Sequence, residues 1–271
     1  MNVQNDGRPG HFVGDAGAGD SGVRAAEAAL TTATALFLDV DGTLLDIAER
    51  PSAVSLPNLL LNVLQRVDRK LGGAVALVSG RPIDDLDRIF SPLRLRASGV
   101  HGAEIRLDPA DEPHPSPSAQ ALPEALTDLL AESLRAFPGV LIEQKTYSLA
   151  VHYRATPQAG PQIRGILERL VAGEPESGIE IFDAHCAFEL RTPAFDKGWA
   201  VATFLEHEPF SGRVPIFVGD DTTDEAGFAA VAAHGGRAYS VGRWRPGAQG
   251  VFTDPTAVRA WLTAFADRRA D

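Results

Sequence analysis

An α/β fold interrupted by an α+β insertion is what this sequence predicts, and two patterns predict it. Three short apolar runs, Ala35 to Leu38, Ala74 to Val78 and Val214 to Val218, are each followed at once by residues able to do chemistry: Asp39, Ser79, and Gly219 with Asp220. Unbroken hydrophobicity over four or five residues marks strands covered on both faces, as in a parallel sheet flanked by helices. From Tyr147 to Arg154 the pattern alternates instead. Tyr147, Leu149, Val151 and Tyr153 fall on one face and Ser148, Ala150, His152 and Arg154 on the other, as in a strand with one dry side and one wet side.

Taken along the chain, Met1 to about Thr32 is rich in Gly, Ala and Asp and has few large apolar residues, so a flexible tail is expected there. After the first strand, Leu59, Leu60, Val63, Leu64 and Val67 form one stripe of a helix that should end before Gly72 and Gly73. Asp108 to Ser118, with four prolines and three acidic residues, reads as a loop or domain linker. Between about Leu107 and Pro193 lie two further helical stripes, Leu126-Leu129-Leu130-Leu134 and Ile163-Ile166-Leu167-Leu170, each followed by strand-like segments. In the last of these, Ala187, Glu189 and Arg191 oppose Phe188 and Leu190. The expected organisation is a tail (1–32), a Rossmann-like three-layer α/β/α core in two pieces (33–106 and 194–271), and an inserted α+β unit (107–193) whose sheet has one polar face.

Composition narrows the function. The 271 residues suffice for a sizeable core or two modest domains, and 44% hydrophobic with 23% charged residues is ordinary for a globular protein. No apolar run approaches the roughly 20 residues that span a bilayer, and the polar start lacks a signal peptide's apolar segment, so a cytoplasmic protein without a membrane partner is expected. The single Cys186 rules out an intrachain disulfide and a cysteine metal site. A formal charge of −11 argues against nucleic acid as the main partner, but local cations and a bound metal can still attract a phosphate. The expected partner is a small molecule, and the expected state a monomer.

In open α/β sheets ligands bind beyond the carboxyl ends of the strands, so the three runs should bring Asp39, Ser79 and Asp220 to one rim. Asp39 and Asp41, in the segment Asp39-Val40-Asp41-Gly42-Thr43, are two carboxylates that repel unless a cation or proton lies between them. Such a pair suits Mg²⁺, which takes oxygen ligands and keeps coordination positions for phosphate. An Asp-Gly pair is more often a surface turn, but its place after a buried strand argues otherwise.

These five residues match in full the DxDGT motif of the haloacid dehalogenase superfamily, and the chain resembles that superfamily's phosphohydrolases in three more places, in order. Val78-Ser79-Gly80-Arg81 resembles its phosphate-binding serine segment, Lys197-Gly198 its lysine, and Gly219-Asp220-Asp221 with Asp224 its acidic motif. The resemblance implies Asp39 as nucleophile and Asp41 as general acid and base. It implies Mg²⁺ held by the Asp39 carboxylate, the Asp41 carbonyl and Asp220, and Ser79 and Lys197 on the phosphoryl oxygens. Thr43, Asp221 and Asp224 would support them. Taken singly, Lys197 could be a surface charge, Ser79 a helix cap and the Asp220 to Glu225 run a helix start; their register with Asp39 favours function. For Arg81 a phosphate contact and a structural role are equally balanced.

Within that superfamily the chain is most similar to the trehalose-6-phosphate phosphatases, from about Ala35 to near the C-terminus. Ser98-Gly99-Val100-His101-Gly102-Ala103-Glu104, Glu143 through Arg154, Phe188-Glu189-Leu190-Arg191 and Gly219 through Glu225 carry the likeness. It implies that the insertion is a cap over the active site, that Glu143, Lys145 and Glu189 bind the distal glucose, and that His101 meets the proximal sugar. His152 and Arg154 could instead serve the cap sheet and its rim, and Trp199, Trp244 and Trp261 are assigned to packing. Alternatives are another capped sugar phosphatase, acting on a sucrose or mannosyl phosphate, or a non-catalytic sugar-phosphate sensor.

Overall fold

Strand β1 (Thr34–Leu38) is buried along its whole length because it lies in the middle of a sheet covered by helices on both sides. This computed structural model describes residues 26, 30–47, 56–57, 59–117, 119, 122, 124–184, 186–192 and 195–268. After β1 come α1 (Leu60–Lys70), β2 (Val75–Val78), α2 (Ile83–Ile89), β3 (Arg96–Gly99), β4 (Glu104–Arg106) and β5 (His114–Pro115). A second set follows: α3 (Glu124–Ser133), β6 (Leu141–Gln144), β7 (Ser148–His152), α4 (Gly160–Ala172), β8 (Glu180–Ala184) and β9 (Ala187–Arg191). The chain then returns through α5 (Lys197–Leu205), β10 (Val214–Gly219), α6 (Glu225–Ala233), β11 (Arg237–Val241), β12 (Gly250–Phe252) and α7 (Pro255–Asp267).

The larger sheet has the order β12-β11-β10-β1-β2-β3-β4-β5. Its first six strands run parallel and only β4 and β5 are antiparallel. The continuous apolar runs are thus the two-sided parallel strands their pattern predicts, and the large core around Phe37, Phe204, Phe210, Phe217 and Trp261 packs about them. The smaller sheet, β6-β7-β9-β8, is wholly antiparallel. Its dry face carries Leu149, Val151, Phe188 and Leu190 against α3 and α4 in a separate cluster.

The structure redraws several details. The tail expected to reach Thr32 ends sooner, because Ala26 and Leu30 are buried in the core; residues 1–25 lie outside the described residues. The core sheet runs past the expected Leu107 boundary, since His114–Pro115 pairs with β4. A two-residue edge strand is too short to show a period. What anchors this edge is buried Arg106, whose two terminal nitrogens each donate to Asp87 at 2.7 Å and which also donates to the Leu95 carbonyl. Leu59 and Leu129 leave their helical stripes for solvent. Tyr147 leaves the cap's dry face and packs with Val100, Ala103 and Phe195 at the junction of the two sheets, because β7 begins only at Ser148. Cys186 is half-buried in the β8–β9 turn at φ +55. Trp261 belongs to the core, whereas Trp244 is exposed.

Candidate active site

Asp39, Ser79 and Asp220 follow the C-terminal ends of the adjacent strands β1, β2 and β10, which places all three at one rim. The chain turns sharply after Asp39: the amides of Leu44 and Leu45 both donate to the Val40 carbonyl, and Gly42 donates to the Leu45 carbonyl. Gly42 sits at φ +81, and a Cβ there would lie 2.3 Å from an Asp220 carboxylate oxygen. Glycine is therefore required twice over, by backbone conformation and by the approach of the acid on the neighbouring strand.

Lys197, the first residue of α5, is buried rather than solvated, and its Nζ donates to Asp39 Oδ1 at 2.7 Å and to Asp224 Oδ1 at 2.6 Å. Although burial disfavours its charge, those two carboxylates raise its pKa far above the usual lysine range. It remains an ammonium at any working pH. Asp224 is fully buried, and its other oxygen accepts the Asp221 amide at 2.9 Å. Thr43, also buried, donates to Asp220 Oδ1 at 3.5 Å. Gly219 keeps the space open, since a Cβ there would lie 2.3 Å from Asp224.

Asp41 stands beside this cluster and faces Arg81, which donates to both its oxygens at 2.6 and 2.7 Å. Ser79 is buried, and its hydroxyl oxygen accepts the Arg81 amide at 3.1 Å. The helix-cap reading of Ser79 fails, because the residue capping α2 is Pro82.

The polar face of the inserted sheet meets this rim. In the sheet register Glu143, Ala150 and Glu189 form one row, which puts both acids on one face. Glu189 Oε2 lies 3.1 Å from His101 Nε2, a polar contact between the inserted unit and the core, and burial holds the His101 pKa below the ordinary histidine value despite the pull of Glu189; Glu189 Oε1 accepts from Ser148 at 2.7 Å and faces Lys145 at 3.6 Å. Burial raises the Glu189 pKa, but His101, Lys145 and Ser148 together pull it well below the normal carboxylate range, so it is ionised. His101 reaches this position at φ +55, over Gly80, where a Cβ would lie 2.5 Å from its ring. Glu143 pairs with His152 at 2.8 Å and both are half-exposed, while Arg154 points to solvent.

Asp221 caps the turn that leads into α6. There it meets Arg245, a residue that sequence reading missed. Arg245 is buried, and it donates through Nε to the Asp220 carbonyl at 2.9 Å and through a terminal nitrogen to Asp221 Oδ1 at 3.2 Å. It is distant in sequence and carries no local motif, so only the fold could reveal it. Glu104, in the segment that follows β3, accepts the Ile83 amide with its carboxylate at 2.9 Å, at the start of α2.

The acids fit a hard divalent cation. One carboxylate oxygen each from Asp39, Asp220 and Asp224 lies within 4.8 Å of the others, and Asp224 is already committed to Lys197 and the Asp221 amide. Without a cation the cluster holds a proton instead. Burial first, then neighbouring acids including Asp224, push Asp39 up to about 7 against the pull of Lys197, and burial with the charge of Asp39 pushes Asp220 up to about 7. The sign follows directly. Carboxyls whose folded pKa is raised contribute stability that is complete below about pH 4 and lost as pH rises through about 7. In chelator the protein should therefore be less stable at pH 8 than at pH 5.5, by roughly 2 kcal/mol for one shared proton, or about 4–8 °C in Tm. Added Mg²⁺ should recover the difference at pH 8 and do little at pH 5.5. Thermal melts at both pH values check this, and a pH-independent Tm in EDTA would contradict it.

A Rossmann-like sheet bearing an aspartate nucleophile candidate, a buried lysine and an acidic rim, with an inserted antiparallel sheet beside it, defines a haloacid-dehalogenase-type phosphatase. A family model described as trehalose-phosphatase matches residues 37–244, and the chain belongs to that family. It is 40% identical over 235 residues to a Sinorhizobium fredii protein described as "Probable trehalose-phosphate phosphatase", covering 86% of this chain and 87% of that one. It is 34% identical over 233 residues to the trehalose-6-phosphate phosphatase of Escherichia coli, covering 86% of each. Among solved structures, the C-terminal domain of a Candida albicans trehalose-6-phosphate phosphatase has a TM-score of 0.77 at 20% identity, over 88% of this chain and 93% of that one. The C-terminal domain of a C. albicans trehalose synthase regulatory protein has a TM-score of 0.69 at 12% identity, over 89% and 96%. These two likenesses concern the fold alone.

Proposed function

We propose that this phosphatase hydrolyses trehalose 6-phosphate to trehalose and inorganic phosphate, with Mg²⁺ as cofactor and an aspartyl-phosphate on Asp39 as intermediate, as a step of trehalose biosynthesis. The observation that carries the reading is the cap's row of Glu143 and Glu189, with Lys145, set over the rim that holds Asp39 and Lys197. One end suits a phosphate and the other a cluster of hydroxyls, which donate to carboxylates and accept from an ammonium. The named relatives support the same substrate.

In the first half-reaction an Asp39 oxygen forms a bond to phosphorus as the ester P–O bond breaks, and Asp41 gives its proton to the departing alkoxide. In the second, Asp41 takes a proton from water, whose oxygen attacks phosphorus and releases the Asp39 carboxylate with phosphate. Arg81 holds Asp41 in the free protein, and its transfer to the substrate phosphate would release Asp41 for this work. Lys197 stays on Asp39 and offsets phosphoryl charge, with Ser79 beside it. Asp39, the Asp41 carbonyl and Asp220 would hold the cation, which when bound supplies charge neutralisation between nucleophile and phosphate. The cap serves as lid, with His101 and Glu189 at its closing edge.

No helix among the described residues is long and apolar enough to cross a membrane; with a small-molecule substrate, the reading is of a cytoplasmic monomer. A sensor on this fold is the poorer reading because Asp41, Lys197 and Asp220 are all in place. The decisive measurement is phosphate release from trehalose 6-phosphate, sucrose 6-phosphate, a mannosyl phosphate and glucose 6-phosphate, with Mg²⁺ and with EDTA. Trehalose 6-phosphate should have the highest kcat/KM, with turnover lost in EDTA. A preference for glucose 6-phosphate would overturn the substrate assignment.

A further inference from the structure

We infer that Arg245 is a positioning residue for the cation site, a clamp that fixes the direction of the Asp220 carboxylate without touching the cation or the substrate. The inference rests on the cation reading above. Arg245 lies in the loop from β11 to β12, one residue past the end of the family match at residue 244. Its backbone carbonyl accepts the Ala248 amide at 3.1 Å, and its side chain turns inward while neighbouring Trp244 points to solvent.

The planar guanidinium spans the whole turn that follows β10. Nε takes the carbonyl of Asp220, one terminal nitrogen takes Asp221 Oδ1, and the other lies 3.8 Å from Glu225 Oε1 at the start of α6. Fixing the Asp220 carbonyl fixes the peptide plane next to the residue whose carboxylate must meet Asp39. From the other side, the Asp221 amide is held by Asp224, which is itself held by Lys197. The Asp220–Asp224 turn is thus gripped by one cation inside the site and another outside it. A lysine could satisfy one of these acceptors but not the fork.

Two physical effects of Arg245 on a bound cation have opposite signs, and this makes the inference testable. As a nearby positive charge Arg245 repels a divalent ion, so its removal would tighten binding. As a clamp it aims a ligand, and losing such support typically costs about 10- to 100-fold in metal affinity. The clamp reading requires the second effect to win.

The experiment titrates Mn²⁺ into the metal-free protein, reading free Mn²⁺ by electron paramagnetic resonance, with Mg²⁺ as competitor and melting temperature recorded alongside. Arg245→Gln is expected to bind Mn²⁺ about 10- to 100-fold more weakly than the parent. Arg245→Lys, which keeps the charge and guards against a Gln variant that fails to fold, should remain several-fold weaker. Parent-like or tighter binding by either folded variant overturns the clamp. Absence of saturable binding by the parent overturns the cation site itself, and the inference with it.

Discussion

Asp39→Asn should abolish phosphate release while leaving the protein folded. The substitution keeps shape and one oxygen but removes the anionic nucleophile, so turnover should fall by at least about 10⁴-fold. The structure adds a second expectation with the opposite sense. Burial and neighbouring acids push Asp39 up to about 7, so above that pH its charge works against folding, and a neutral Asn relieves this. In chelator at pH 8 the variant should therefore melt no lower than the parent, and higher if the relief outweighs the lost attraction to Lys197. Phosphate release and melting temperature, with mass spectrometry to exclude reversion of Asn to Asp, read both effects. An active, unreverted variant would sink the nucleophile assignment; an inactive but unfolded one would mark Asp39 as structural.

Lys197→Met should do the reverse, losing stability and activity together. Methionine retains most of the aliphatic stem, so packing in α5 changes little. What disappears is the ammonium that donates at 2.7 and 2.6 Å to Asp39 and Asp224, both buried. Removing one partner of a buried charge cluster leaves the other uncompensated, at a cost of about 3–5 kcal/mol. Activity should fall by about 10²- to 10³-fold even where the variant remains folded, because a charge aimed at the phosphoryl oxygens is lost. Since the protonated acids tolerate the loss better, the stability defect should shrink as pH falls below about 6. Denaturant unfolding at pH 5.5 and 8, with Mg²⁺-saturated kinetics, tests this. Parent-like stability at pH 8 would mean that Asp39 and Asp224 do not depend on Lys197.

Much of this site was legible in sequence because parallel strands announce themselves. A run buried on both faces has to be apolar throughout, so the first polar residue after it stands out, and Asp39, Ser79 and Asp220 were found that way. Strand alternation likewise set Glu189 with Arg191 and Ser148 with His152 on shared faces before any coordinates, because a side-chain period of two leaves one choice of face once the dry side is known. The same logic could not find His114–Pro115, which is too short to have a period, nor separate Leu59 and Leu129 from their helical stripes, since a helix buries only the face its neighbour covers.

What sequence determined by itself was therefore the list of acids and bases at strand ends and their order along the chain, together with the family likeness those motifs carry. Tertiary structure decided which of them meet. Lys197 became a buried bridge between Asp39 and Asp224, Arg81 the partner of Asp41, and Glu189 of the inserted sheet the neighbour of His101 in the core. Arg245 reached the turn after Asp220 from 25 residues away. The reason is physical: local pattern records which side of an element is dry, whereas pairings between distant elements depend on how the sheets twist and where the cap settles, and those are fixed only by the packing of the whole chain.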